Sequence, residues 1–125
     1  MNDSRHLAEL AAHAADDKKA SAITLIDVEQ VSSVTDYFLV CSGNTPIQVR
    51  AIAEHIEEKL EEAGKPPLRV EGVQAGRWIL LDYGVVVAHV MLNSERDYYS
   101  LERLWNHGKV VPWANGSTPA QSASA

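Results

Sequence analysis

Three aspartates are the residues of this chain that would matter most chemically if they met at one point. Asp27 and Asp82 lie late in two apolar, β-branched segments, and Asp36 opens a third. Metal-dependent nucleotidyl transfer needs two or three carboxylates converging on metal ions, usually with a closely spaced acidic pair on one strand. The residues that follow (VE after Asp27, YGV after Asp82) do not clearly supply that pair. Turn capping is the favoured interpretation, and a nucleotidyl transferase is kept as an alternative.

The histidines and the single cysteine offer no second reactive site. His6 and His13 lie two helical turns apart in a predicted first helix, with no other ligand type beside them. His89 lies within a predicted strand, where a satisfied or half-buried histidine is favoured over a catalytic one. Cys41 ends another predicted strand, and no local motif ties a histidine to it. Because no pair has metal-ligand spacing, the sequence predicts no catalytic residue, no metal site and no cofactor.

Composition and charge narrow the class of partner. Seventeen acidic residues against eleven Lys and Arg give a formal net charge of −6. A protein that worked by neutralising phosphates should carry the opposite balance, so direct RNA contact is predicted to be minor or absent and the favoured partner is a basic protein. No segment approaches the roughly 18 apolar residues of a membrane helix. With one cysteine and no secretory signal, these features predict a cytoplasmic protein without a membrane partner.

The order of predicted elements is that of a single α/β domain. Apolar periodicity predicts helices at residues 4–19, at 46–63 and from 94 onward, and strands at residues 22–28, 36–42, 68–71, 77–83 and 85–92. A helical crossover between the second and third strands makes those two strands parallel. The prediction is a mixed five-stranded β-sheet flanked by helices, in the order α-β-β-α-β-β-β-α. The domain covers residues 1–112, and a disordered tail covers residues 113–125.

A series of different short motifs follows these elements along the chain in a recognisable order. They are residues 15–20 (ADDKKA), 25–28 (LIDV), 32–33 (SS), 35–38 (TDYF), 42–43 (SG), 71–72 (EG), 76–84 (GRWILLDYG), 89–90 (HV), 99 (Y), 101–102 (LE) and 104–105 (LW). Together, over roughly residues 5–105, they make the chain resemble the Iojap-like ribosomal silencing factor family. The resemblance implies a nucleotidyltransferase-like fold without a catalytic site, and a protein that is not an enzyme.

The resemblance also implies a function and a contact surface. Factors of this family bind the large ribosomal subunit through its basic protein L-fourteen. By occupying that surface they sterically block association with the small subunit and repress translation. Their contact surface is centred on the strand that here spans residues 78–83. The implied partner-binding residues are Trp78, Ile79, Leu81, Asp82 and Tyr83.

Strand alternation divides this segment between two faces of a sheet. One face carries Trp78, Leu80 and Asp82, and the other carries Ile79, Leu81 and Tyr83. An aromatic anchor beside a carboxylate is typical of a hot spot against a basic surface, which favours Trp78, Asp82 and Tyr83 as contacts. For Ile79 and Leu81, a place in the core and a place in the contact surface are favoured equally.

Val85 departs from the family pattern, which usually has an aspartate after the preceding Tyr-Gly or Leu-Gly pair. If that acid contacts the ribosome in relatives, this chain loses or replaces the contact. Two alternatives to a ribosome-binding repressor stay open. One is the metal-dependent nucleotidyl transferase built on the three aspartates. The other is a homodimeric interaction module with another target, since exposed apolar sheet surface would favour a homodimer of the free protein.

Overall fold

The computed structural model of the chain describes residues 3–99 and 108–113. Its elements, in chain order, are α1 (Asp3–Asp17), β1 (Ser21–Asp27), β2 (Tyr37–Gly43), α2 (Pro46–Glu62), β3 (Arg69–Glu71), β4 (Trp78–Asp82), β5 (Val86–Leu92), α3 (Asn93–Tyr99) and β6 (Lys109–Val111). The predicted elements are present, and the ends that the prediction gave differ by one or two residues, as element ends commonly do. None of the helices within the described ranges is long and apolar enough to cross a membrane.

The strands form one mixed sheet in the order β3-β4-β5-β2-β1-β6. β2 and β5 pair in parallel, and the other neighbours pair antiparallel. β3 therefore runs in the same direction as β2, as the crossover predicts, although β4 and β5 lie between them. The predicted single α/β domain with a mixed sheet flanked by helices is confirmed.

The predicted number of five strands is wrong, because the described residues form six. Lys109–Val111 forms β6 and pairs antiparallel with β1. It escaped prediction because three residues are too few to show a period of two, and its partner strand lies far away along the chain.

Helices α1 and α2 cover one face of the sheet because each has an apolar stripe. α2 starts where the sequence indicates: the Thr45 hydroxyl accepts from the Gln48 backbone N–H at 3.1 Å, and Pro46 takes the first helical position. The buried residues of α2 are Val49, Ile52, Ala53, Ile56 and Leu60. The alanines that α1 buries are Ala8, Ala11, Ala12, Ala14 and Ala15. Both stripes pack into the same core.

The sheet separates two apolar clusters. The main core lies between the sheet and the two helices, and its strand residues include Leu25, Leu39, Ile79, Leu81 and Val90. The opposite side of the sheet, which we call the outer face, carries a smaller cluster of Ile26, Val28, Val40 and Met91, with Phe38 and Trp78 partly buried against it. The two clusters use alternate residues of the same strands, as strand geometry requires.

The C-terminal part of the domain is described in two pieces. Arg96 of α3 donates to the Ala22 carbonyl O at 2.6 Å and to Thr24 Oγ1 at 3.1 Å, which ties α3 to β1. Residues 100–107, to which the predicted helix extends, lie outside the described residues. Trp113, which the prediction assigned to the tail, instead packs against the core and edge-on to His13, with ring centroids 5.4 Å apart. Residues 114–125 of the predicted tail also lie outside the described residues.

Candidate protein-binding surface

The residues of β4 alternate between the two faces of the sheet as predicted. Trp78, Leu80 and Asp82 are half-buried on the outer face, whereas Ile79 and Leu81 are fully buried in the main core. Of the five residues implied as contacts, Trp78 and Asp82 are therefore the ones that reach the outer face. The alternation also explains why one strand can serve the core and a surface together.

Tyr83 follows β4 and lies on the side of the core, 8% exposed. Burial raises the pKa of its phenol, and the carboxylates of Glu57 and Glu61 on α2 raise it further. Among the described residues, no hydrogen-bond partner is found for the Tyr83 hydroxyl. Tyr83 thus belongs to the contact between the sheet and α2 rather than to the outer face.

An aromatic row crosses the outer face from β4 to β2. The Trp78 indole Nε1–H donates to His89 Nδ1 at 3.0 Å. The ring centroids of Trp78 and His89 lie 6.0 Å apart, and those of Phe38 and His89 lie 5.8 Å apart, both pairs tilted. His89 is 9% exposed, and burial lowers its pKa to about 4. The imidazole is therefore neutral near pH 7, and its Nδ1 can accept a hydrogen bond from the indole N–H.

A groove opens beside this row. Its volume is about 400 Å³, and its lining residues are Glu71, Gly72, Trp78, Leu80 and His89. Gly72 has a φ of +86°, and a Cβ at this position would overlap the backbone carbonyl O of Trp78. Only glycine therefore lets the chain turn so tightly against β4. The groove lining is mainly apolar and includes one carboxylate, that of Glu71.

Charged side chains line the outer face next to the groove. Arg69 on β3 lies 3.3 Å from Glu71 and 3.5 Å from Asp82, measured between nitrogen and oxygen. Asp82 also has a local role, because its Oδ1 accepts from the Gly84 backbone N–H at 2.8 Å and so stabilises the turn between β4 and β5. Asp82 is consequently both a turn cap, as the sequence favoured, and a partly exposed charge on the outer face.

The three aspartates considered for metal chemistry do not converge. The residues paired across the sheet from Asp82 are Val87, then Phe38, then Ile26, which precedes Asp27. The backbones of Asp27 and Asp82 are thus three strand spacings apart, about 14 Å. This is too far for both short side chains to bind one metal ion, since each ligand oxygen must lie within about 2.6 Å of the ion. Asp27 Oδ1 instead accepts from the Glu29 backbone N–H at 3.0 Å. Asp36 directly precedes β2, and its backbone N–H donates to the Val85 carbonyl.

The cysteine and the two histidines of α1 show no sign of a reactive site in the described residues. Cys41 is fully buried in the core, and burial raises the pKa of its thiol to about 12. His6 is exposed and His13 packs on Trp113. Within the described residues, no group of three or more His, Cys, Asp or Glu side chains could hold a metal ion.

The sequence matches the family model described as "Ribosomal silencing factor during starvation" over residues 1–125. The chain belongs to this family. The recognition made from the order of the motifs is therefore confirmed. A relative from Bacillus subtilis (strain 168), named "Ribosomal silencing factor RsfS", is 45% identical over 107 residues, which are 86% of this chain and 91% of the relative.

Structural comparison agrees with this membership. A crystal structure of a protein from Chromobacterium violaceum has a TM-score of 0.82 and 36% sequence identity, and the match covers 97% of this chain and all of that one. A longer relative from Mus musculus, "Mitochondrial assembly of ribosomal large subunit protein 1", is 32% identical over 91 residues, 70% of this chain and 40% of the relative. The family supports a role of this chain in ribosome silencing or ribosome assembly.

Three residues of this surface were not among the sequence-based candidates. Glu71, Leu80 and His89 line the groove beside Trp78. A signal was available for two of them, because residues directly opposite in an antiparallel pair share a face. Leu80 lies opposite His89 in the β4–β5 pair. That pairing required the register of the turn, which the sequence does not fix to within one residue.

Proposed function

We propose that this protein represses translation by binding the large ribosomal subunit through its protein L-fourteen and blocking the small subunit sterically. The observation that carries the proposal is the outer face of β4, where an aromatic row borders a groove next to charged side chains. Trp78 and Asp82 would contact the partner. Ile79, Leu81 and Tyr83 are buried, so their contribution would be to hold β4 in position.

Charge supports a basic protein rather than RNA as the direct partner. The chain has a formal net charge of −6, and two carboxylates, Glu71 and Asp82, lie on or beside the groove. Their pairing with Arg69 spans 3.3 to 3.5 Å and is largely exposed on the Arg69 side. Such surface pairs contribute at most about 1 kcal/mol, so a basic partner could replace Arg69 at little cost.

Size supports a steric mechanism. A folded chain of this length has a radius of gyration of about 14 Å, so a bound copy would separate two surfaces that must otherwise touch.

No bond has to be made or broken, and the protein would act without catalysis. The separation of Asp27 from Asp82 supports this, and it would leave the implied nucleotidyltransferase-like fold without a catalytic site. Such a factor would act in the cytoplasm, together with the ribosomes.

Subunit joining tests the mechanism directly. Purified large subunits are saturated with the protein, small subunits are added, and the products are separated on a density gradient. We expect the protein to sediment with large subunits and the peak of joined ribosomes to fall. Normal joining at saturating protein would contradict the proposed function.

Two variants test the contact surface. Trp78→Ala removes the aromatic anchor, and we expect binding to large subunits to weaken at least about 30-fold, as for a hot spot of 2 kcal/mol. Asp82→Asn removes the charge but keeps an oxygen that can accept from the Gly84 N–H, so it separates electrostatic contact from turn capping. Ile47→Ala is the control, since Ile47 is 75% exposed on α2, away from the outer face. Wild-type affinity in both test variants would mean that the contact lies elsewhere.

Self-association of the free protein is a second candidate use of the same face. Trp78, Leu80 and Phe38 leave apolar surface partly exposed there, and such surface favours homodimers. Sedimentation velocity over a wide range of concentrations measures it. If the outer face serves both contacts, dimerisation and large-subunit binding should compete, and Trp78→Ala should weaken both.

A further inference from the structure

The hydrogen bond between Trp78 and His89 links a groove residue to the interior of the sheet. The indole of Trp78 has a single polar atom, which is a donor only, and that donor lies 3.0 Å from His89 Nδ1. His89 itself belongs to β5, which is paired on both sides, with Leu80 of β4 and Val40 of β2 opposite it. The acceptor is therefore held by a rigid strand, whereas the donor belongs to a half-buried side chain at the surface.

The protonation state of His89 suits it to accept this hydrogen bond. For Nδ1 to accept, the ring must be neutral and carry its proton on Nε2. Burial at 9% exposure keeps it neutral near pH 7, since its pKa falls to about 4. The Phe38 ring lies beside it on the neighbouring strand β2, with ring centroids 5.8 Å apart. The tautomer that carries its proton on Nε2 thus meets the indole.

We infer that His89 is a positioning residue of the binding surface: its Nδ1 fixes the Trp78 indole beside the groove in the orientation that the partner meets. This inference rests on the proposed function, in which Trp78 is the anchor. An aromatic anchor that is already ordered loses less conformational freedom on binding. Ordering one such side chain typically changes affinity by about 2- to 12-fold, and this is the effect that His89 should provide.

A double-mutant cycle between His89 and Trp78 tests it. His89→Leu keeps an apolar body of similar size but removes the acceptor. Trp78→Phe keeps an aromatic ring but removes the donor. We expect His89→Leu to weaken binding to large subunits about 2- to 12-fold in the wild-type background and to have no further effect in the Trp78→Phe background. Equal weakening in both backgrounds, or no weakening in either, would overturn the inference.

A conservative variant and a spectroscopic readout separate positioning from general support of the fold. His89→Asn places an oxygen near the position of Nδ1, so it should recover most of the affinity lost in His89→Leu. The indole ¹H–¹⁵N resonance of Trp78, assigned by its disappearance in Trp78→Phe, should exchange faster with solvent in His89→Leu than in wild type or His89→Asn. Ile47→Ala is the control for both readouts.

The outcomes distinguish the inference from the function on which it rests. If wild-type protein fails to bind large subunits, the proposed function fails, and the role of His89 in binding fails with it. If wild type binds and Trp78→Ala binds equally well, Trp78 is not an anchor and the inference fails, whereas the contact surface is wrong only if Asp82→Asn also binds as wild type does. If Trp78→Ala loses binding but the cycle shows no coupling, only the inference fails. Should His89→Leu not fold, full binding by Trp78→Phe, which lacks the indole donor, would still overturn it.

Discussion

Acid should destabilise this protein through His89 in a way that can be isolated from its other ionisable groups. In the folded chain, burial lowers the pKa of His89 to about 4, whereas in an unfolded chain a histidine has a pKa of about 6.5. Between these two values the unfolded chain binds the extra proton, so stability rises with pH across this window and is lost as the pH falls through it. Above pH 6.5 the contribution is fully present.

The magnitude follows from the difference in pKa. A difference of about 2.5 units at about 1.4 kcal/mol per unit corresponds to roughly 3 kcal/mol over the whole window. At pH 5 the unfolded histidine is mostly protonated and the folded one mostly neutral, so about 2 kcal/mol of this is already lost. Protonation of Nδ1 would also remove the acceptor for the Trp78 indole.

Urea unfolding of the wild type and of His89→Asn at several pH values between 5 and 7.5 measures this linkage. Asparagine does not titrate, so the free energy of unfolding of the variant should depend less on pH. The free energy of unfolding of wild type minus that of the variant should be about 2 kcal/mol smaller at pH 5 than at pH 7.5. Histidines common to both proteins cancel in the comparison. Parallel pH dependences would refute the assignment of His89 as a buried neutral base.

Three further predictions concern the fold around the surface. Leu81→Ala should lower the free energy of unfolding by about 2 to 5 kcal/mol in urea titrations, because Leu81 is fully buried. Gly72→Ala should destabilise clearly more than Gly64→Ala in the same assay, since both glycines have positive φ but only at Gly72 would a Cβ strike backbone. Cys41 should resist alkylation in the native protein and react on unfolding, because its thiol is buried and its pKa is raised to about 12; rapid native labelling would contradict this.

The pattern of α2 and β4 shows what the sequence could predict. α2 has a threonine cap, a proline at its first position and five apolar residues on one stripe, all signals that lie within the helix itself. β4 alternates between faces because consecutive strand residues must point in opposite directions. Both elements are specified locally, so their type and orientation were predicted correctly.

Long-range pairings decided what the sequence could not predict. β6 is held by β1, a partner about which Lys109–Val111 carries no local information. The Trp78–His89 contact depends on the register of β4 against β5, in which Asp82 lies opposite Val87. A shift by one residue would move His89 to the other face. The groove could therefore not be assembled from the motifs alone.

The two borders of the described sheet are poor templates for growth. Each ends in a strand of three residues, Arg69–Glu71 on one side and Lys109–Val111 on the other. Few backbone groups are offered to an incoming strand, charged side chains occupy both borders, and a proline pair stands shortly before the first. Such features discourage the sheets of neighbouring molecules from pairing edge to edge. At high concentration the protein should therefore resist fibrillar aggregation.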